Sequence, residues 1–274
     1  MNLQIQEFAQ KLASAYSSLA HVRAVALGGS RAGSFKPDSL SDIDLYVYHD
    51  SEIPLSARQL IASDNSTEAE TGNKFWEEGD EWIVRSSTLK VDVMFRGVGW
   101  IEDEITRVME RHEAKLGYST CFLYNVQTCL VLSDRDGWLK GLKARASRPY
   151  PAALRDAILS KNHPVLRKIH SAYSRQIESA IERNDFVSLN HRVAALLASY
   201  FDIVIAVNRL AHPGEKRLVQ FVRESCPSKP NRFEENVAGL LAAAPRGGIG
   251  VIAGVKALLD SLDDWLRGLG FLPG

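Results

Sequence analysis

The sequence predicts an α+β protein, with a small mixed-sheet domain over residues 1–115 followed by an all-α helical bundle over 116–274. Three observations carry that reading. Alternating, β-branched runs that end in glycine or polar turns are confined to the first hundred residues. From Trp100 onward, apolar residues recur every three or four positions almost without exception. The 274 residues are 45% apolar and 24% charged, which is enough apolar material for one large or two modest cores.

The first element follows from Ile5, Phe8, Leu12, Tyr16 and Leu19, spaced for one face of a helix that runs to about Ala20. Residues 21–27 alternate and end at Gly28-Gly29, where a strand must stop and turn. After a loop rich in Gly, Ser, Pro and Asp, Ile43 to Tyr48 reads as a second strand, and Leu55 to Ala62 as a short helix. The polar run Ser63 to Lys74 reads as a surface loop. Two more strands are expected at about Trp82 to Ser86 and Leu89 to Phe95. Beyond them, Ile101/Ile105/Val108, Leu166/Ile169/Tyr173/Ile177 and Phe233/Val237/Leu240 mark helices, and Val187 to Val207 is apolar nearly all round, as a helix enclosed by its neighbours is.

Composition removes several classes of function. The most apolar stretch, Val193 to Val207, is broken by Asp202 and falls short of the about 20 residues a membrane span needs. The N-terminus carries an early acid and no basic start before an apolar block, so no export signal is read and a cytoplasmic location is expected. Cys121, Cys129 and Cys226 form no CxxC or Cys/His cluster, which argues against a disulfide framework or a zinc site. The 33 basic and 33 acidic side chains cancel, but residues 151–274 hold 16 basic against 12 acidic, and the first 150 the reverse excess, 17 against 21. That split reads either as surface variation or as two domains of opposite sign facing one ligand.

The chemistry-bearing stretch is Leu27-Gly28-Gly29-Ser30-Arg31-Ala32-Gly33-Ser34, followed by Asp42-Ile43-Asp44-Leu45. Residues i and i+2 on a strand share a face, so Asp42 and Asp44 stand side by side with Cα atoms roughly 6–7 Å apart. Two carboxylates so placed repel unless a cation sits between them, and hard oxygen donors select Mg²⁺ or Mn²⁺. Two glycines and a serine at a strand end turn the backbone tightly and offer N–H groups and a hydroxyl to an anion such as a phosphate chain. Asp92 sits in the middle of an apolar strand, where an unpaired charge is costly, so it is expected to face the same metal. Taken singly, each has a plainer reading: a strand-ending turn, a turn aspartate, and a carboxylate paired with Lys90 or Arg85.

Together these residues resemble the signature of the polymerase β-like nucleotidyltransferase superfamily over about Val22 to Phe95. The order of a small catalytic domain and a helical bundle is similar to bacterial antibiotic nucleotidyltransferases of the aminoglycoside and lincosamide types. The resemblance implies transfer of a nucleoside monophosphate from an NTP co-substrate, probed first with ATP, to a hydroxyl of a small-molecule acceptor, with release of pyrophosphate. It implies two Mg²⁺ ions, with Mn²⁺ as a substitute, bridged by Asp42 and Asp44, with Asp92 on the acceptor side as metal ligand and general base. Ser30 and the Gly28–Gly29 backbone would hold the β- and γ-phosphates, and Arg31 would either neutralise triphosphate charge or be a plain surface arginine. From the helical domain, Lys216, with Arg217 behind it, would reach the triphosphate, and nucleotide and acceptor would meet between the domains. Nucleotidylation of a protein or tRNA, and a catalytically silent nucleotide-binding protein, are the rival readings.

Weaker signals complete the reading. Asp202 is a hydrogen-bonded core group in preference to a substrate-facing acid. Glu77, Glu78, Asp80 and Glu81 form an acidic cluster between Trp76 and Trp82 that reads as a solvated face or as a seat for an amine-rich acceptor. Gly248 to Gly254 mimics a dinucleotide fingerprint but lacks the preceding strand, so it is expected to start the last helix. Lys140, Lys143, Arg145 and Arg148 are a short basic patch, too narrow to make nucleic acid the favoured partner.

Overall fold

The structure is a computed structural model that describes residues 3–32, 41–75, 77–85 and 87–273. Gly33, Ser34, Trp76 and Ser86 of the sequence reading lie outside the described residues. The chain sorts into two compact units, Met1–Arg107 with Phe122–Pro149, and Val108–Cys121 with Tyr150–Gly274. The fold class is α+β, a mixed sheet in the first unit and helices in the second.

The first unit holds a six-stranded sheet of order β3-β4-β5-β2-β1-β6, formed by β1 (Val22–Leu27), β2 (Ile43–His49), β3 (Ser66–Asn73), β4 (Gly79–Val84), β5 (Lys90–Gly97) and β6 (Leu130–Asp134). Only β2 and β5 run parallel; the other pairings are antiparallel. Helix α1 (Leu3–Ser17) and helix α3 (Leu55–Asn65) pack on one face, and α2 (Gly29–Ala32) is a single turn after β1. The period-2 alternation read from sequence divides the residues as a pleated sheet must. Ile43, Leu45, Val47, Val91, Val93 and Phe95 enter a core with Leu12, Tyr16 and Trp82, so Asp44, Tyr46, Tyr48, Asp92, Met94 and Arg96 are left on the other face. There, β1 presents Ala24 and Ala26 opposite Tyr48 and Tyr46, small residues that leave room for the rings. Helices α4 (Val98–Met109), α5 (Cys121–Thr128) and α6 (Trp138–Ala146) follow β5 and flank β6. They cover one end of this second face: Trp138 stacks edge-on against Tyr48 at 5.4 Å, and Arg96 lies between the Tyr46 and Phe122 rings at 4.1 and 5.4 Å.

Three expectations need correction. The expected loop 63–74 is the end of α3 and then strand β3, a strand of Thr, Glu, Gly and Asn that no hydrophobic alternation marks because it is the sheet's outer edge, mostly facing water. Sheet pairing with β4, not its own composition, makes it a strand. Residues 130–134, read as part of the helical half, form β6 on the opposite edge, so the sheet extends past the expected boundary at residue 115. The acidic cluster is not a free face. Asp80 is buried and bonds Arg58 at 2.6 and 3.1 Å, and Glu78 also binds Arg58. Glu77 takes Arg96, and Glu81 takes Lys90 at 2.6 Å.

The second unit contains α7 (Ala152–Arg167), α8 (Tyr173–Glu182), α9 (Phe186–Val207), α10 (Leu218–Ser225), α11 (Phe233–Ala243) and α12 (Ile249–Gly268). By length and composition α9 could cross a membrane, yet 56% of its most apolar window is buried, against α7 and α8 among others. Asp202 within it is a core polar group: it accepts from the Ser119 amide at 3.1 Å, the Ser119 hydroxyl at 2.6 Å and Asn162 at 3.3 Å. Gly248 caps the start of α12, as its failed fingerprint implied. In the basic run, Lys143 donates to the carbonyls of Val126, Gln127 and Cys129 that end α5, and Arg145 donates to Thr106, so two of its four cations are structural.

Candidate active site

The site is built where β1, β2 and β5 lie next to one another. Parallel pairing puts Asp44 directly opposite Asp92, on strands about 4.8 Å apart, and cross-strand partners share a face. Asp42 stands two residues before Asp44, at the entrance to β2. Both Asp44 and Asp92 are half-buried. The row continues outward, because Glu81 of β4 is the register partner of Asp92, and Glu70 of β3 that of Glu81. Four carboxylates thus stand in one lateral row. Burial, followed by the charge of Asp44 and then of Glu81, pushes the Asp92 carboxyl up to about 6, against the opposing pull of Lys90. Neither of the two cations expected to pair with Asp92 bonds it: Lys90 bonds Glu81, and Arg85 donates to the Ser63 carbonyl.

The turn after β1 is pressed onto this row. The Gly28 amide donates to the Asp44 carbonyl at 2.8 Å, tying the turn to β2. A Cβ on Gly28 would sit 2.3 Å from the Tyr46 ring, and one on Gly29 would sit 1.7 Å from the Asp44 carboxylate. Gly29 also has φ +58, a left-handed conformation that side chains disfavour. Both glycines are therefore required by close approach. Ser30 follows in the one-turn helix α2, half-exposed. Arg31 donates from Nε to the Asp42 carbonyl at 2.8 Å and from its terminal nitrogen to the Ser41 carbonyl. The guanidinium expected at the phosphates is directed at main chain and clips the turn to the entrance of β2.

Beneath the turn, Tyr46 is held from below by Arg96, whose guanidinium is buried and paired with Glu77 at 2.7 Å. Burial pushes the Tyr46 hydroxyl up to about 12, with a hydrogen bond from the Gly29 backbone acting the other way, so it stays a neutral phenol. Sequence reading missed Tyr46 and Arg96, and read Glu81 only as a member of the acidic cluster. Their signal was the same period-2 alternation that singled out Asp44 and Asp92, but only strand register says which alternating residues lie next to the aspartates.

Comparison with known proteins follows from this geometry. No protein-family model matches the chain, and no curated protein is found similar to it. Among solved structures, a nucleotidyltransferase-like protein from Exiguobacterium sibiricum is 13% identical, with 97% of this chain and 79% of that one covered and a TM-score of 0.44. A Thermotoga maritima CCA-adding enzyme complexed with tRNA is 12% identical over 97% of this chain and 66% of its own, TM-score 0.36. A STING-associated CdnE c-di-GMP synthase from Capnocytophaga granulosa is 13% identical over 97% and 80%, TM-score 0.27. The resemblance is to nucleotidyltransferase folds. All three TM-scores lie below 0.5, and the chemistry of the site is read from the chain's own side chains.

Those side chains suit a hard divalent cation: the donors are carboxylates, and Asp44 lies directly opposite Asp92 with Glu81 beyond it. Among the described residues, no three His, Cys, Asp or Glu side chains already converge as a complete metal-binding set. Lys216 lies in the second unit, exposed on the loop between α9 and α10, with Arg217 next to it in a left-handed conformation, φ 57.

Proposed function

We propose that the chain is a metal-dependent nucleotidyltransferase that moves a nucleoside monophosphate from an NTP to an acceptor hydroxyl. The observation that carries this reading is the lateral pairing of Asp44 with Asp92, with the Gly28–Gly29 turn seated against Asp44 and Asp42 two residues before Asp44 at the entrance to β2. Asp42 and Asp44 are the residues to hold the metal, with Asp92 joining from the neighbouring strand. Because the carboxylates do not by themselves form a closed cage, the remaining ligands are expected from the triphosphate, so metal and NTP should bind together. When bound, Mg²⁺ supplies electrostatic stabilisation of the attacking and leaving oxygens of an in-line displacement.

The chain's own groups account for the other parts. The exposed edge of the turn, with Ser30 Oγ and backbone N–H groups, suits phosphate oxygens. Arg31 holds that turn in place through the carbonyls of residues 41 and 42. Asp92 takes the proton of the acceptor hydroxyl as its oxygen bonds the α-phosphorus. The bond from that phosphorus to the bridging oxygen breaks, and pyrophosphate leaves with the electron pair. Lys216 is the second-unit candidate for a triphosphate contact.

The acceptor is proposed to be a small molecule, with antibiotics the first group to screen by pyrophosphate release and tRNA run beside them as the second. The decisive experiment needs no acceptor: titration calorimetry of ATP, GTP, CTP and UTP with and without Mg²⁺, for the wild type and Asp44→Asn. Metal-dependent binding that Asp44→Asn weakens at least tenfold is expected. Binding that ignores either the metal or the substitution refutes the assignment.

A further inference from the structure

A second anion site is suggested by the helical hairpin of α8 and α9, and it is independent of the aspartate row. A concavity of about 270 Å³ opens there, lined by His170, Arg175, Ser179, Arg183, Ser188 and Arg192, with Asp185 between them. The local sequence makes it. Arg175, Ser179 and Arg183 recur at intervals of four, which stacks them along one side of α8 and its C-terminal end. Ser188 and Arg192, again four apart, line the first turns of α9, and the tight 183–185 connection, with Asn184 at φ 53, folds the two rows together.

The charges around this concavity are not balanced by the protein. Arg183 and Arg192 have no ion pair or side-chain hydrogen bond among the described residues. Arg175 donates to His170 Nδ1 at 3.2 Å; an arginine cannot accept, so that imidazole nitrogen is the acceptor and His170 presents an N–H on its other side. The one acid in the lining, Asp185, already accepts the Ser188 amide at 2.9 Å as the cap of α9. Its carboxylate offsets the positive end of that helix, so the arginines and not the helix terminus make the site. Glu178 of α8 lines a different groove, with Ile177, Ile252 and Val255. Three guanidiniums around a small hollow repel one another, and planar forks with hydroxyls between them match the tetrahedral oxygens of a phosphate.

We propose that this α8–α9 concavity is a phosphate-binding site, for a phosphate group carried either by a free small anion or by a nucleic-acid backbone. Its volume of about 270 Å³ is enough for one or two phosphate groups. It goes beyond the nucleotidyl transfer proposed above and does not depend on it, because binding here requires no metal.

The test is calorimetry on the full chain in EDTA with two probes, inorganic pyrophosphate and a ten-nucleotide single-stranded RNA. Saturable binding of at least one probe is expected, weakened at least tenfold by Arg183→Ala/Arg192→Ala and unchanged by Arg246→Ala, an arginine outside the lining. Circular dichroism should show the double variant folded, since neither side chain is buried. Binding of pyrophosphate identifies a free anion as the source; binding of RNA alone, with a steep salt dependence, identifies a backbone phosphate. No saturable binding of either probe, or binding indifferent to the double substitution, overturns the proposal. Metal-dependent NTP binding reports on the aspartates and metal-free binding on the arginines, so failure of one leaves the other standing.

Discussion

Gly29→Ala separates the cost of a strained backbone from the cost of displacing a functional carboxylate. The new methyl carbon would lie 1.7 Å from Asp44 Oδ2 and 2.4 Å from its Cγ. Real Cβ contacts do not come closer than 3.0 Å, so the carboxylate oxygen must retreat by at least about 1.3 Å. Holding alanine at φ +58 costs roughly 1–2 kcal/mol, which for a chain of this size is a fall in Tm of about 2–8 °C. The functional cost is larger. A misplacement of about 1 Å in a positioned group is worth on the order of 10²-fold, or roughly 2.7 kcal/mol. The assays are a thermal melt followed by circular dichroism and NTP titration calorimetry in Mg²⁺. A small loss of Tm with a loss of NTP affinity between tenfold and a hundredfold is expected. Gly141→Ala, where an added Cβ meets nothing within 4 Å and the backbone is helical, is the control and should leave both readouts unchanged or slightly raise Tm. A Gly29→Ala protein that loses Tm but binds NTP and Mg²⁺ like the wild type would show that the turn does not set the position of Asp44.

Other perturbations read different parts of the molecule. Arg58→Met leaves the buried Asp80 without its cation and is expected to cost about 3–5 kcal/mol, a Tm loss of roughly 6–20 °C; Arg23→Ala, whose pair with Asp50 is exposed, should cost under about 1 kcal/mol, and equal losses would refute the burial argument. Ser30→Ala removes one hydroxyl from the phosphate turn and should weaken NTP binding about five- to tenfold without altering Tm; an unchanged dissociation constant removes Ser30 from the site. Burial lowers the His212 imidazole to about 3, so the unfolded chain binds the extra proton first, and this contribution to stability is complete above about pH 6.5 and declines as pH falls toward 3. At pH 5 the loss is roughly 2 kcal/mol. His212→Asn, which can still accept the Gly214 amide, should flatten the fall in urea midpoint between pH 7 and pH 5; an unaltered slope would place the titration elsewhere.

Part of the candidate row was legible in residue order because its pattern is local. Strand period predicts a shared face for Asp42 and Asp44, although β2 itself begins at Ile43, and a glycine pair at a strand end needs no tertiary information to read as a tight turn. Asp92 stood out as a charge in an apolar alternation. The two misread strands share one physical cause. Strands β3 and β6 sit at the two edges of the sheet, where one side faces water and hydrophobic alternation is not required, so their strand character comes from the neighbour each pairs with. The acidic cluster looked solvated because its cations, Arg58, Lys90 and Arg96, are distributed along other elements.

By itself the sequence determined the α+β class, the helical second half and the core alternation of β2 and β5, and it singled out the three aspartates and the glycine turn as candidates, all of which depend on periods of two or 3.6 residues and on backbone freedom at single positions. The tertiary structure alone decided that Asp44 lies opposite Asp92 and Glu81 beyond it, that Arg31 serves the main chain, and that Tyr46 with Arg96 supports the turn. Those are matters of register between strands distant in the chain, which are set by which hydrophobic faces can be buried together, a property of the whole sheet that no local pattern encodes.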